Sequence, residues 1–328
     1  MDISWHKQFA RSWIDRAEQG RLPHAVLLAG PAGVGKRAAA GWIAARHLKI
    51  GPQVELPQFP PVTLQHADLR WISPAEDKQT ISIDQIRTLV AETSLTSYEG
   101  VGKVAVVEPA NAMTVNAANS LLKTLEEPPG DAILILIADR VGNLPATIFS
   151  RCQRIELLAP SETEGLAWLE SLRPGAQWAE ALKLAGYAPL AALQAVEQLD
   201  THAALSRDFA AVASARESAI DVAARWNRLE IDFVLLWLAR QVQRLIISQS
   251  GSPTGVFGPG MDKSVLTRMD TRNLFCYLDT VNRLRGQQSG SFNVQLALEG
   301  LLLDLADGLS NCCPSLPEDG MRFMRAKR

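Results

Sequence analysis

Short apolar runs alternate with longer mixed segments through the first half of the chain, and the alternation stops near residue 160. Ala25 to Ala29 (AVLLA), Val104 to Val107 (VAVV) and Ile133 to Ala138 (ILILIA) are apolar throughout. A strand buried on both faces of a parallel sheet reads this way. A further strand is expected at Asp68 to Ile72. Between these runs lie helical patterns: alanine-rich Lys36 to Leu48, Asp84 to Glu92 with Ile86, Leu89 and Val90 on one face, and about Val115 to Leu125, which Pro128 and Pro129 end. Ile50 to Gln65 carries four prolines and reads as a loop.

Beyond Pro160 the strand pattern gives way to helices. Ser161 to Gln198 predicts several short ones, broken at Gly186 and Pro189, and Ala204 to Leu309 predicts longer amphipathic ones. Residues 294, 298, 301, 302, 305 and 309 form one apolar stripe. Such a stripe is usually core, and the sequence does not divide core from interface. A glycine and proline run (Ser248 to Gly260) separates two helices, and the basic tail MRFMRAKR reads as a mobile terminus. The expected organisation is an α/β domain over 1–160, a small helical domain over 161–203 and a larger helical domain over 204–328.

A length of 328 residues suits more than one core. A net charge of −2 announces no strongly basic surface, and 47% hydrophobic with 21% charged residues is the balance of a globular protein. The opening MDISWHKQFARSW has no apolar signal core, so export is not expected. The apolar run FVLLWLA from Phe233 is stopped by Arg240, too short to span a bilayer. Cysteines 152, 276, 312 and 313 form no C-x-x-C pair and read as buried or incidental thiols. The five histidines (6, 24, 47, 66 and 202) lack ligand spacing, so no metal site is expected.

The candidate chemistry begins at Gly30, where GPAGVGKR joins an apolar strand to a helix. Gly30, Gly35 and Lys36 keep the G-x-x-x-x-G-K spacing of a phosphate-binding loop, with Gly33 between them. Backbone N–H groups of such a loop make an anion nest at a helix N-terminus, and the lysine reaches the outer phosphates. The next residue should be a Ser or Thr whose hydroxyl holds magnesium; here it is Arg37. The strand VAVV runs into Glu108 and Pro109, so a carboxylate is present where magnesium would be held, but Pro109 can neither take a proton nor orient water.

Four segments in order carry a resemblance: RLPHAVLLAGPAGVGK (Arg21 to Lys36), SIDQIRTLV (Ser82 to Val90), NAANSLLKTLEEPP (Asn116 to Pro129) and LPATIFSRC (Leu144 to Cys152). Together they resemble the bacterial DNA polymerase III clamp-loader family over most of the first 155 residues. The resemblance implies an AAA+ α/β domain with a P-loop type parallel sheet, then a small helical lid and an all-helical collar. ATPase members of the family keep T after GK, D-E after the second strand and Thr after the third. This chain has Arg37, Glu108-Pro109 and Ala138-Asp139-Arg140 there, and Pro189 where an active member offers a sensor Arg. The pattern of losses resembles the family's delta prime branch, which does not hydrolyse ATP. Many members carry a four-cysteine zinc module after the first helix. His47 to His66 contains no cysteine, so zinc is not expected.

In that family the Arg of SRC reaches the γ-phosphate of the neighbouring subunit, which makes Arg151 the expected trans arginine finger. Arg154 reads as a surface residue. Gly30, Gly33, Gly35, Lys36 and Arg37 form a degenerate phosphate loop. It requires no cofactor, weak ATP or ADP binding staying open, and no polymerase or ATPase activity of the chain's own is expected. The implied partners are the ATPase (gamma/tau) and delta subunits, with the sliding clamp and primed DNA reached through the complex, all in the cytoplasm and away from membrane. A working ATPase subunit with unusual motor residues, or an AAA+-related protein of repair or regulation, stand as alternatives. Glu126 and Glu127 end a helix, where carboxylates meet the negative end of its dipole. They are expected to pair with basic groups of another segment or subunit.

Overall fold

The computed structural model describes residues 1–76, 78–139, 144–249, 269–286 and 292–310. Arg140, Cys312, Cys313, most of the glycine and proline run and the basic tail lie outside the described residues. By internal packing the chain divides into two units, Met1–Glu197 and Gln198–Arg328. The short helices after residue 160 therefore fall, up to Glu197, in the same unit as the sheet.

The first unit is built on five parallel strands: β1 (Ala25–Ala29), β2 (Leu69–Ile72), β3 (Lys103–Val107), β4 (Ala132–Ala138) and β5 (Gln153–Glu156). Their order across the sheet is β2-β3-β4-β1-β5. The three apolar runs are the three central strands, as their composition requires. Alternate residues feed opposite faces. Val26 and Leu28 with Ile133 and Ile135 meet helices α1 (Lys7–Glu18) and α2 (Lys36–His47), whereas Leu27 with Leu134 and Leu136 meets α3 (Ile83–Thr93) and α4 (Val115–Glu126). A capping box at Ser82 and Gln85 fixes the start of α3, and the Thr114 side chain caps α4. A short helix α5 (Ala146–Phe149) buries Ile148 beside α4 and leads into β5. Three elements lie outside the sequence reading, the short α5 among them. Helix α1 hides its amphipathic stripe (Ala10, Trp13) in a polar stretch, and β5 reads QRIE because it is an edge strand exposed at alternate positions.

Helices α6 (Glu162–Leu172), α7 (Trp178–Leu184) and α8 (Pro189–Ala195) complete the first unit. Pro189 starts α8, where its missing N–H costs nothing.

Within the second unit the described helices are α9 (Leu199–Ala213), α10 (Ala219–Trp226), α11 (Ile231–Gln249), α12 (Thr271–Arg285) and α13 (Val294–Ala306). Trp226 meets Trp237 edge-on at 5.7 Å, and Trp237 meets Phe209 at 5.9 Å, in a core that α13 closes. The predicted stripe is that core: Leu298, Leu301, Leu302, Leu305 and Leu309 are buried and Val294 packs against them. Cys276 is disulfide-bonded, against the expectation of four free thiols. Among the described residues no helix is long and apolar enough to cross a membrane.

Candidate functional site

The glycine loop leaves β1 at its C-terminal end and delivers Lys36 as the first residue of α2. Gly30 passes so close to β5 that a Cβ there would lie 2.0 Å from the Leu157 carbonyl oxygen. Gly33 has φ +81°, and a Cβ on it would fall 2.5 Å from the Ala191 Cβ of α8. Helix α8 is therefore seated directly on the loop, and the Leu190 N–H donates to the Gly33 carbonyl at 3.0 Å. The N-terminal segment closes the other side. The Trp5 indole N–H donates to the Val34 carbonyl at 2.9 Å, and Ile3 and His6 pack over Gly35.

Lys36 does not point outward. Its ammonium carries three protons, and three oxygens surround it: Gly30 O at 2.7 Å, Pro31 O at 2.5 Å and Asp139 Oδ1 at 2.7 Å. Only 5% of the side chain is exposed. Asp139 stands directly after β4, in the region where the resemblance gives ATPase members a Thr, and here it serves as the lysine's counter-ion. Next to it, Arg37 lies over the Trp71 ring at 5.3 Å and pairs with Glu108 Oε2 at 3.4 Å. The Trp71 indole donates to the same Glu108 oxygen at 3.0 Å. Two cations thus meet two carboxylates of their own chain, so the loop offers a bound polyphosphate no net positive charge.

These residues do not fit magnesium nucleotide. A guanidinium stands where the metal's hydroxyl ligand belongs, and Glu108, which could have held the metal, holds that guanidinium. The phosphate cradle at Gly33 is approached by Ala191. Pro189 begins the helix that makes this contact. Sequence reasoning located Gly30, Gly33, Gly35, Lys36, Arg37 and Glu108 but missed the counter-ion role of Asp139 and the parts played by Trp71, Ala191 and Trp5. Gly33 was the available signal, since a glycine between the two that the loop spacing demands marks a close backbone approach.

His6 is buried against the loop, and neither ring nitrogen has a hydrogen-bond partner. Burial pushes its pKa down to about 4, and the nearby Val34 carbonyl offsets only part of that.

Arg151 lies apart from the loop, after α5. Its neighbour Cys152 is a free, half-buried thiol packed against the sheet core, pushed up to about 12 by burial and so an anchor rather than a nucleophile. With the cysteine turned inward, Arg151 stays partly exposed at the surface. Its Nε donates to Glu126 Oε1 at 2.5 Å and its Nη2 contacts the same oxygen. Nη1 donates to the Thr147 carbonyl at 3.1 Å and to Ser150 Oγ at 3.2 Å. The pairing expected for Glu126 is thus made within the chain, from another segment. Arg154 pairs with Glu156 at 3.3 Å on the edge strand.

The pattern of the family described as "DNA polymerase III, delta subunit" matches residues 5–161, which include the loop, Glu108, Asp139 and Arg151. DNA polymerase III subunit delta' of Pseudomonas aeruginosa is 39% identical over 189 residues, 55% of this chain and 58% of that one. The corresponding protein of Escherichia coli is 30% identical over 246 residues, 73% of each chain. This chain belongs to the DNA polymerase III delta prime family. The stretch it shares with the Pseudomonas member is 58% of that protein's length, so the match is to part of the relative. Among solved structures, a gamma subunit-related protein from Thermotoga maritima aligns at 18% identity over 94% of this chain and 100% of that one, with a TM-score of 0.49.

Proposed function

We propose that this chain is a non-hydrolysing subunit of a bacterial clamp loader, and that Arg151 acts in trans on the nucleotide of an adjoining ATPase subunit. One observation carries the first half. All three protons of the Lys36 ammonium are taken by Gly30, Pro31 and Asp139, so a phosphate would have to displace a partner to be held. The Arg37 pairing with Glu108 and the seat of α8 on Gly33 support the same reading. No cofactor is required, and zinc has no place in this account. The second half is supported by the position of Arg151 in an SRC turn whose cysteine packs half-buried against the core and whose arginine is left partly exposed.

The partners are the gamma/tau ATPase and delta subunits, with the sliding clamp and primed DNA engaged through the complex, in the cytoplasm. The ATPase cycle belongs to the neighbours, and this chain supplies a fixed face and a guanidinium. An arginine so placed spreads positive charge over the transferring phosphoryl group and is worth roughly 10³ to 10⁵ in rate where it has been measured. The test is a reconstituted complex carrying Arg151→Ala. Assembly is expected to be unchanged and DNA-stimulated hydrolysis at the adjoining site to collapse; unaltered hydrolysis would remove the trans role.

A further inference from the structure

We infer that Glu126 is the positioning residue for Arg151, fixing which edge of the guanidinium is presented to an incoming anion. The inference rests on the trans role proposed above and concerns what aims the arginine. A guanidinium has a side edge, Nε with Nη2, and an end edge, Nη2 with Nη1, each able to bind an oxyanion in fork geometry. Glu126 Oε1 takes the side edge. Thr147 O and Ser150 Oγ steady Nη1 from the arginine's own turn. Nη2 carries two protons and Glu126 can take only one in this arrangement, so the end edge keeps a donor for an outside anion. About a third of the Arg151 side chain, 31%, is exposed.

A second observation comes from the helix itself. Glu126 is the last residue of α4, and a carboxylate at that end opposes the dipole. Lys123 is the basic residue of α4's own last turn, but the ion pair that Glu126 makes is with Arg151, from outside the helix. The supporting elements are rigid: Leu121 and Leu125 of α4 and Ile148 of α5 are fully buried in one core cluster, with Cys152 packed against it. Carboxylate and guanidinium thus stand on one packed surface, which limits the many rotamers of a free arginine to those that face outward.

The test uses the full chain in the reconstituted complex, with DNA-stimulated ATP hydrolysis resolved into kcat and KM. Glu126→Ala is expected to leave assembly and KM unchanged and to lower kcat by about threefold, the scale of a lost exposed ion pair. Glu126→Gln, whose amide oxygen still accepts from Nε, is expected to recover most of the loss. In an Arg151→Ala background, Glu126→Ala is expected to change nothing further. Unchanged kcat in Glu126→Ala, with Arg151→Ala still defective, overturns the positioning role and leaves the trans role standing. A Glu126→Ala loss that persists in the Arg151→Ala background also overturns it, since Glu126 would then act elsewhere. If Arg151→Ala itself has no effect, the trans reading fails and the inference falls with it. Thermal unfolding of each variant separates these outcomes from a misfolded chain.

Discussion

Replacing Gly33 by alanine asks whether α8 is seated on the glycine loop in solution. Two costs add at this position. A φ of +81° is poorly tolerated by a residue with a side chain, at about 1–2 kcal/mol. The new methyl would also fall 2.5 Å from both the Cβ and the backbone nitrogen of Ala191. Helix α8 cannot yield to it by a side-chain rotation, so backbone must shift, and overpacking of this kind costs about 1–3 kcal/mol. Gly20→Ala supplies the control, because Gly20 has φ +65° and nothing within 4 Å of its missing Cβ. The two variants share the backbone cost and differ by the contact with α8. Urea unfolding of each is expected to show Gly20→Ala less stable by about 1 kcal/mol. Gly33→Ala is expected to be lower again by about 1–3 kcal/mol, with an unchanged slope. Equal losses in the two variants would refute the reasoning: α8 would then lie off the loop and the cradle would be open.

Removing the lysine bears on its use. Lys36→Met is expected to cost about 1–3 kcal/mol in unfolding free energy, because the Gly30 and Pro31 carbonyls lose a buried donor. It is expected to leave the assembled complex's hydrolysis rate unaltered, as measured beside the wild-type complex. Acid stability reports on His6, whose folded pKa of about 4 lies below the ordinary 6.5. Above pH 6.5 the ring is neutral in both states. Between pH 6.5 and 4 only the unfolded chain takes up the proton, so stability falls as the pH falls through that window. The difference between the two pKa values sets a ceiling of roughly 3.4 kcal/mol on the loss. His6→Phe keeps an aromatic ring beside Trp5 and Phe9 and is expected to lessen the slope between pH 6.5 and 4, the remainder belonging to His202 and His47, which burial also lowers. A slope as steep as the wild type's would assign it to other groups.

The sheet was readable because its central strands are buried on both faces, which leaves only apolar residues available to them. Periodicity gave α3 and α4 to within a residue or two, since their caps are local: Ser82 with Gln85, and Thr114. The edge strand β5 and helix α1 were not read. An edge strand needs no continuous apolar run, and α1 shows the core only a narrow stripe. At the site, sequence spacing located the loop and marked Arg37 and Glu108 as departures. It did not foretell that the departures answer one another across the loop, nor that Trp71 and Asp139 take part. Those partners come from β2 and from the end of β4, and only strand order brings them to the start of α2. Glu126 was a partial success. Its misfit with the helix dipole signalled a missing cation, and the structure supplies Arg151.

The central claim is that the glycine loop spends its cations on its own chain and turns over no nucleotide. The most direct measurement is magnesium-dependent ATP hydrolysis by the isolated full-length chain, with Lys36→Ala run in parallel. No turnover above the buffer rate, and no difference between the two proteins, is the result predicted. Saturable hydrolysis that Lys36→Ala abolishes would contradict it.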